Sequence, residues 1–360
     1  MQDDLVSTMD RWDQRLKGTI RIGANAAIAV GRAIPGRRLV GRLLPPGWTS
    51  ALKVFERRIS SVQIEITTYC NLKCSGCIRT IKDAEGNWQN RHLSVEDFSR
   101  LVTSLPRTDR LHLYGIGEPT MHPKLIELVS FAVASKKFKK ISLTSNGLAR
   151  SVDFYRSMFS AGVSMLSLSV DSLDAQIASQ VRAGTDVIRL VDRLKELCSE
   201  FPGKIEITTV LGRHNIRTAS ELFAELDRLG PLRINIQPYD DLGNPGGCLS
   251  VEERAWFIHE IPTLARRFRN LVLSGDHLLP SLERCTAPWF APYISVDGYV
   301  TPCGRLTDPK VINFGNVLSS DFHHTWFGSD AEKWREQFVR ESPNECAGCP
   351  MHISRICPRA

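Results

Sequence analysis

Six short runs rich in apolar and β-branched residues punctuate the chain, over residues 61–67, 110–117, 140–146, 165–172, 204–211 and 232–239. Each has the length of a strand, and apolar residues at helical spacing fill the intervals between them. One helix starts after Ser94, a suitable N-cap, with Glu96 and Asp97 in its first turn. Another follows Pro123, and further helical patterns cover 152–161, 185–200, 218–229 and 251–270. Strands separated by helices pair in parallel, because a helical crossover returns the chain in its original direction. The alternation predicts an α/β fold with its ligands at the carboxyl ends of the strands.

The cysteines suggest what those strand ends carry. Ten are present, and most fall in two groups. Grouped, and with no signal peptide ahead of them, they point to metal ligation in a reducing cytosol more than to a disulfide framework. Cys70, Cys74 and Cys77 form a C-x3-C-x2-C run directly after the first strand. Three thiolates on one loop can hold three irons of a [4Fe–4S] cluster and leave the fourth without a protein ligand. An open iron, like the open position of a catalytic zinc, is a place for chemistry.

Motifs close the next strands too. Gly115-Ile116-Gly117-Glu118-Pro119 ends the second, Thr144-Ser145-Asn146-Gly147 the third and Ser169-Val170-Asp171-Ser172 the fourth, with Arg182 shortly after. In this order, the set resembles the radical S-adenosylmethionine (SAM) superfamily over about residues 60–240. The resemblance implies a partial (β/α)6 TIM-like barrel of parallel strands, a [4Fe–4S] cluster on Cys70, Cys74 and Cys77, and SAM as cofactor. It implies that Gly117, Glu118 and Pro119 receive the SAM amino group. Ser145, Asn146, Ser169 and Asp171 would meet its ribose and methionine ends, and Asn215 its adenosine. Arg182 would meet its carboxylate, a match of charge and fork geometry. Two positions depart from the family pattern: Ile116 stands where a glycine is usual, and Gly76 where an aromatic often precedes the third cysteine. The implied chemistry is reductive cleavage of SAM to a radical that must be shielded from water.

The second cysteine group comprises Cys285, Cys303, Cys346, Cys349 and Cys357, with Gly298 before Cys303. It resembles the SPASM/twitch extension of radical SAM enzymes. That implies one auxiliary [4Fe–4S] cluster on Cys285, Cys303, Cys346 and Cys349, with Cys357 spare. Tetrahedral zinc on the same four thiolates is the alternative. The expected organisation is a basic amphipathic N-terminal arm over 1–58, a radical SAM core over 59–245, a linker and helix over 246–274 and an auxiliary-cluster domain over 275–360.

From Gln14 to Phe55 the arm has eight basic residues and no acidic one, interleaved with Ile, Val and Leu. Such a segment suits an anionic membrane surface, or a helix packed on the core. No stretch of 18 apolar residues exists to span a membrane. No nucleic-acid-binding module backs the charge. The expected location is cytoplasmic, with the arm as a peripheral membrane contact.

Candidates for the chemistry after SAM cleavage follow the sixth strand. Cys248 lies in a Gly/Pro-rich loop, where a thiol could return a hydrogen atom to a substrate radical, or be incidental. Tyr239, Asp240 and Asp241 precede it, and an aspartate there could act as a base or simply occupy a turn. Cys198 falls on the apolar face of a helix. His112 and His122 read as structural, and Arg305 as an anchor for an anionic substrate or for its own loop. The expected activity is oxidation or epimerisation of a small molecule such as a sugar, an aminocyclitol or a lipid head group, with reduced flavodoxin or ferredoxin as electron donor. The alternative is a peptide- or protein-modifying maturase, set second because residues 1–60 lack the strands of a leader-peptide-binding module.

Overall fold

Among the described residues eleven strands form, the six expected ones among them. They are β1 (Ser61–Ile64), β2 (Lys73–Cys74), β3 (Thr108–Leu113), β4 (Phe138–Ser145), β5 (Met165–Ser169), β6 (Arg182–Ala183), β7 (Ile205–Leu211), β8 (Leu232–Pro238), β9 (Leu271–Ser274), β10 (Tyr293–Ile294) and β11 (Val300–Thr301). The helices are α1 (Ile78–Ala84), α2 (Val95–Ser104), α3 (Leu125–Ala134), α4 (Val152–Ser160), α5 (Ala175–Val181), α6 (Val187–Glu200), α7 (Ala219–Asp227), α8 (Val251–Arg267), α9 (Ala287–Phe290), α10 (Phe322–Trp326) and α11 (Ser329–Arg340). These come from a computed structural model that describes residues 59–240, 245–275, 278, 285–340, 343–346 and 349. The basic arm over 1–58, Asp241 and Cys357 lie outside the described residues.

One nine-stranded sheet runs β11-β10-β1-β3-β4-β5-β7-β8-β9. Every neighbouring pair is parallel except β10 with β11. It is the partial barrel of parallel strands that the resemblance implies, longer than six strands. β9 extends one edge after α8. On the other edge, β10 and β11 of the C-terminal segment continue the sheet from β1. The C-terminal segment is therefore not held by metal alone. It also brings an aromatic cluster of its own, Phe314 against Trp326 and Trp334, and Phe338 against Trp289 and Trp334.

Local signals explain the helix starts. The Ser94 hydroxyl accepts the Asp97 amide at 3.0 Å at the head of α2. Ser250 and Glu253 form a reciprocal capping box at the head of α8. The strands obey their two-residue period. On β7, Ile205, Ile207, Thr209 and Leu211 are buried, while Glu206, Thr208 and Val210 on the opposite face are partly open. The helices cover the first face. The second, the inner face of the curved sheet, carries the polar residues His112, Thr144, Ser169, Thr208 and Asn235. Among the described residues no helix is long and apolar enough to cross a membrane.

Glu65 stands at the end of β1 and is 3% exposed. Its Oε1 accepts the Ile116 amide at 2.8 Å and its Oε2 the Val296 amide at 3.2 Å, with the Tyr293 hydroxyl beside it. One carboxyl group thus ties β1 to the loop after β3 and to the C-terminal segment. Burial raises its pKa from 4.5 to about 7, against the opposing pull of the two amides. The folded chain holds this proton more tightly than the unfolded chain does. The group's contribution to stability therefore falls as pH rises from about 4.5 through about 7, then levels off. His112, lowered from 6.5 to about 4 by burial, contributes the opposite slope below neutrality. Denaturation of the cluster-free protein across this range should show a steeper loss of stability with pH in wild type than in Glu65→Gln. Parallel pH profiles for the two proteins would contradict the buried-acid account.

Candidate active site

The three-cysteine loop leaves the end of β1 and is tied down before and after the cysteines. Thr67 bridges to His92, and the Thr68 amide reaches the Arg91 carbonyl at 3.0 Å. Within the loop the Cys77 amide donates to the Cys74 carbonyl at 3.2 Å, and Cys77 then starts α1. The short strand β2 pairs antiparallel with β6, setting Cys74 opposite Arg182. Burial pushes the Cys70 thiol up to about 11 and also raises Cys74. The negative charges of the neighbouring cysteines add to the rise at both. Bare thiolates are costly here, and iron supplies the positive charge that lets all three stay deprotonated. The donor set fits a cluster.

The motifs at the next strand ends pack around this loop. A methyl group on Gly117 would overlap the Thr67 carbonyl oxygen, so only glycine lets the two segments approach. The Glu118 amide donates to the Tyr69 carbonyl at 2.7 Å. The Glu118 carboxylate is buried and accepts from the Thr120 hydroxyl at 2.7 Å and the Asn146 amide at 2.7 Å. The Asn146 side chain donates to Asn71 Oδ1 at 2.9 Å, linking this strand end to the cysteine loop. Arg182 pairs with Asp171 at 3.1 Å, and Asp171 also accepts the Val210 amide at 2.8 Å. Ser169 lies on the inner face beside Thr208.

Two of the expected SAM contacts sit differently. Ser145 is turned to the helix side, 3.2 Å from the Tyr155 hydroxyl. The strand's alternation turns the neighbouring Thr144 inward, where it meets His112 Nε2 at 2.9 Å. Asn215 is buried, and its amide nitrogen donates to the Asp171 and Val210 carbonyls at 2.9 and 2.8 Å. Its Oδ1 accepts the Gly212 amide at 2.8 Å. That side chain staples the ends of β5 and β7 together. His122 has both ring nitrogens on backbone groups, the Leu93 carbonyl and the Lys124 amide.

The second cysteine group also assembles. Cys346 lies in the electrostatic range of Cys285, Cys303 and Cys349, although these positions span the whole C-terminal segment. Burial pushes its thiol up to about 12. Among the described residues no three ligating side chains gather as one metal ion requires. Arg305 adjoins this group, where its charge acts on Cys303 and Cys349. It forms a bidentate pair with Asp240, at 2.5 and 3.0 Å, both side chains mostly buried. The pairing commits the Asp240 carboxylate to Arg305 and removes it as a ready base. Cys248 is buried, at 3% exposure, directly after the 245–247 turn. Cys198 is half-buried against the core, as its helical face implied.

The sequence model of the radical SAM superfamily matches residues 64–235, and that of an iron–sulfur cluster-binding domain, SPASM, matches residues 285–350. The chain belongs to the radical SAM superfamily. The radical SAM domain implies a [4Fe–4S] cluster and SAM, and the SPASM domain implies auxiliary iron–sulfur clusters. GTP 3',8-cyclase of Chlorobaculum tepidum is 28% identical over 194 residues, which are 52% of this chain and 56% of that protein. The mycofactocin maturase MftC of Mycobacterium ulcerans is 25% identical over 299 residues, 79% of this chain and 78% of that protein. The chain spans about half the length of the first curated relatives it matches. Among solved structures, Streptococcus suis SuiB bound to S-adenosylmethionine superposes with a TM-score of 0.67 at 17% identity, covering 84% of this chain and 74% of that one. The enzyme anSMEcpe with bound AdoMet superposes with a TM-score of 0.64 at 17% identity, covering 80% of this chain and 86% of that one. At these identities the likeness shows the shared fold.

Sequence reasoning missed Glu65 and Tyr114. Tyr114 lies buried among Cys77, Glu65 and Asp240, and burial raises its hydroxyl above the usual range. The alternation of Glu65 with Ile64 and Ile66 was the available signal, since it turns an acid to the inner face. Anaerobic reconstitution of this radical SAM enzyme should load about eight irons per chain, about four in Cys70→Ala/Cys74→Ala/Cys77→Ala and about four in Cys285→Ala/Cys303→Ala. About four irons with one zinc in wild type would instead make the C-terminal group a zinc site.

Proposed function

We propose that this chain cleaves SAM reductively and oxidises a substrate held at the mouth of the sheet, with a peptide as the favoured substrate. In this reading Cys70, Cys74 and Cys77 hold the SAM-cleaving cluster, and Cys285, Cys303, Cys346 and Cys349 hold the auxiliary one. When bound, these groups and SAM supply a 5′-deoxyadenosyl radical for hydrogen abstraction and a second centre for electron exchange. The backbone of Gly117–Pro119 receives the SAM amino group. Arg182, held by Asp171, receives its carboxylate through a charge-assisted fork. Asn146 holds the adjoining strand end against the cysteine loop through Asn71. Neutral His112, bonded to Thr144, lines the inner face with a polar edge. Electron supply falls to a reduced flavodoxin or ferredoxin.

The observation that carries the oxidative reading is the reach of the β8 end. Asp240 there grips Arg305, whose charge bears on the auxiliary thiols. Oxidation needs an electron acceptor near the substrate, and the auxiliary cysteines beside Arg305 would hold one. The peptide reading is favoured because MftC, named a maturase, aligns over most of both chains. A structure of SuiB bound to precursor peptide SuiA also shares the fold, with a TM-score of 0.64. A small polar molecule is the second reading, favoured by the hydroxyl and amide groups along the inner face.

With a strong reductant, wild type should release 5′-deoxyadenosine from SAM and the Cys70→Ala/Cys74→Ala/Cys77→Ala protein should release none. Release that survives the triple substitution would sink the proposal. A pool of short peptides and a pool of sugars and aminocyclitols, each added separately, should differ in their stimulation of that release. Stimulation by the peptides alone supports the first reading, and by the polyols alone the second. Asp240→Asn should leave the reductive cleavage in place and move the auxiliary cluster's reduction potential upward, because Arg305 loses its counter-charge. An unmoved potential in an EPR-monitored titration would break the link drawn through Arg305.

A further inference from the structure

The residue before Cys77 is a glycine, and the space beside it is filled from the end of β8. A methyl group on Gly76 would overlap the Tyr239 ring at Cε2, Cζ and the hydroxyl oxygen. Two more glycines close on the same side chain. A methyl on Gly247 would lie 2.8 Å from its Cε1 and Cζ, and one on Gly212 would lie 3.2 Å from its Cβ. Backbone bonds hold the frame: the Tyr239 amide donates to the Leu211 carbonyl at 2.8 Å, and the Arg213 amide to the Gly247 carbonyl at 3.0 Å. The ring is therefore clamped with one edge on the cysteine loop, another on the 245–247 turn and its root on the end of β7.

We infer that Tyr239 is a positioning residue for the SAM-cleaving cluster. Its ring stands, from a different strand, where a side chain at position 76 would otherwise be. Glycine is the least restrained residue in a loop, and position 76 adjoins a thiolate that must face a cluster. Packing an aromatic ring on that glycine restricts the Gly76–Cys77 peptide without a side chain of its own. The arrangement also ties the loop to the dipeptide whose next residue, Asp240, holds Arg305 beside the auxiliary cysteines. The inference rests on the proposed ligand role of Cys70, Cys74 and Cys77.

The test compares wild type, Tyr239→Ala, Tyr239→Phe, Gly76→Ala and Gly76→Phe/Tyr239→Ala after anaerobic loading. Each is read by iron content, by the EPR spectrum of the reduced cluster with and without SAM, and by the SAM dissociation constant. Wild type should show a spectrum that changes on SAM addition; if it does not, the ligand assignment itself has failed. Tyr239→Ala should keep the auxiliary cluster's irons, lose the SAM-induced change and bind SAM roughly tenfold or more weakly. Tyr239→Phe should match wild type, since the ring and not the hydroxyl is at issue. Gly76→Ala should reproduce the defect by pushing the ring away, which keeps the test decisive if Tyr239→Ala fails to load either cluster. The double variant, carrying a ring at 76 and none at 239, should recover the SAM-induced change. A wild-type spectrum and affinity in Tyr239→Ala or in Gly76→Ala overturns the inference, and so does a double variant no better than Tyr239→Ala.

Discussion

Strand β1 is hydrogen-bonded along both edges, to β3 on one side and to β10 on the other. Its four residues carry more of the architecture than their number suggests. The chain leaves β1 through Glu65 and Thr67 into the cysteine loop. The C-terminal segment arrives at the same place through β10. A strand bonded on both sides cannot slide by one residue without turning its inward groups outward. The register therefore places the cysteine loop, the loop after β3 and the Val296 stretch of the C-terminal segment around one strand end. Arg91 with Asp297, at 2.6 Å, and Lys82 with Asp308 add ion pairs across the same junction. Partly exposed pairs of this kind contribute little stability singly, so they align more than they hold.

The strand ends are fixed by buried polar groups, which is a demanding way to build a rim. A buried carboxylate or amide costs free energy unless its hydrogen-bonding capacity is met. Glu118, Asp171, Asn146 and Asn215 meet it by gripping backbone amides and carbonyls of neighbouring loops. Each loop is thereby held by the one beside it. Removing one such group leaves its partners unsatisfied, which costs more than the lost bond itself. The rim can then present backbone groups and an arginine fork in a set geometry before any ligand arrives, which is the condition for recognition without reorganisation.

The alternation of strands and helices was legible because it is written in local spacing. So were both cysteine groups, whose residue type leaves few structural uses. The orientation of Ser145 was legible in principle from the two-residue period that makes Ile141 and Leu143 face the helices, but a motif read as a string hides that period. Contacts between distant positions were not legible. Nothing near Gly76 in the sequence names Tyr239, and nothing near Asp240 names Arg305. The engagement of Asn215 with two carbonyls and an amide depends on how far two strands extend past their last ladder bond. The extension of the sheet by β10 and β11 was hidden because two-residue strands carry no periodicity.

The antiparallel contact of β2 with β6 places Cys74 directly opposite Arg182. Two residues a side is too short a ladder to persist on its own strength. Its survival depends on what anchors either strand, and on the cysteine side that anchor is the loop around the thiolates. Whatever orders that loop also orders the arginine. The guanidinium and the thiolates therefore share one support, and a shift of the cysteine loop is passed through two backbone residues to the arginine that Asp171 holds from the other side.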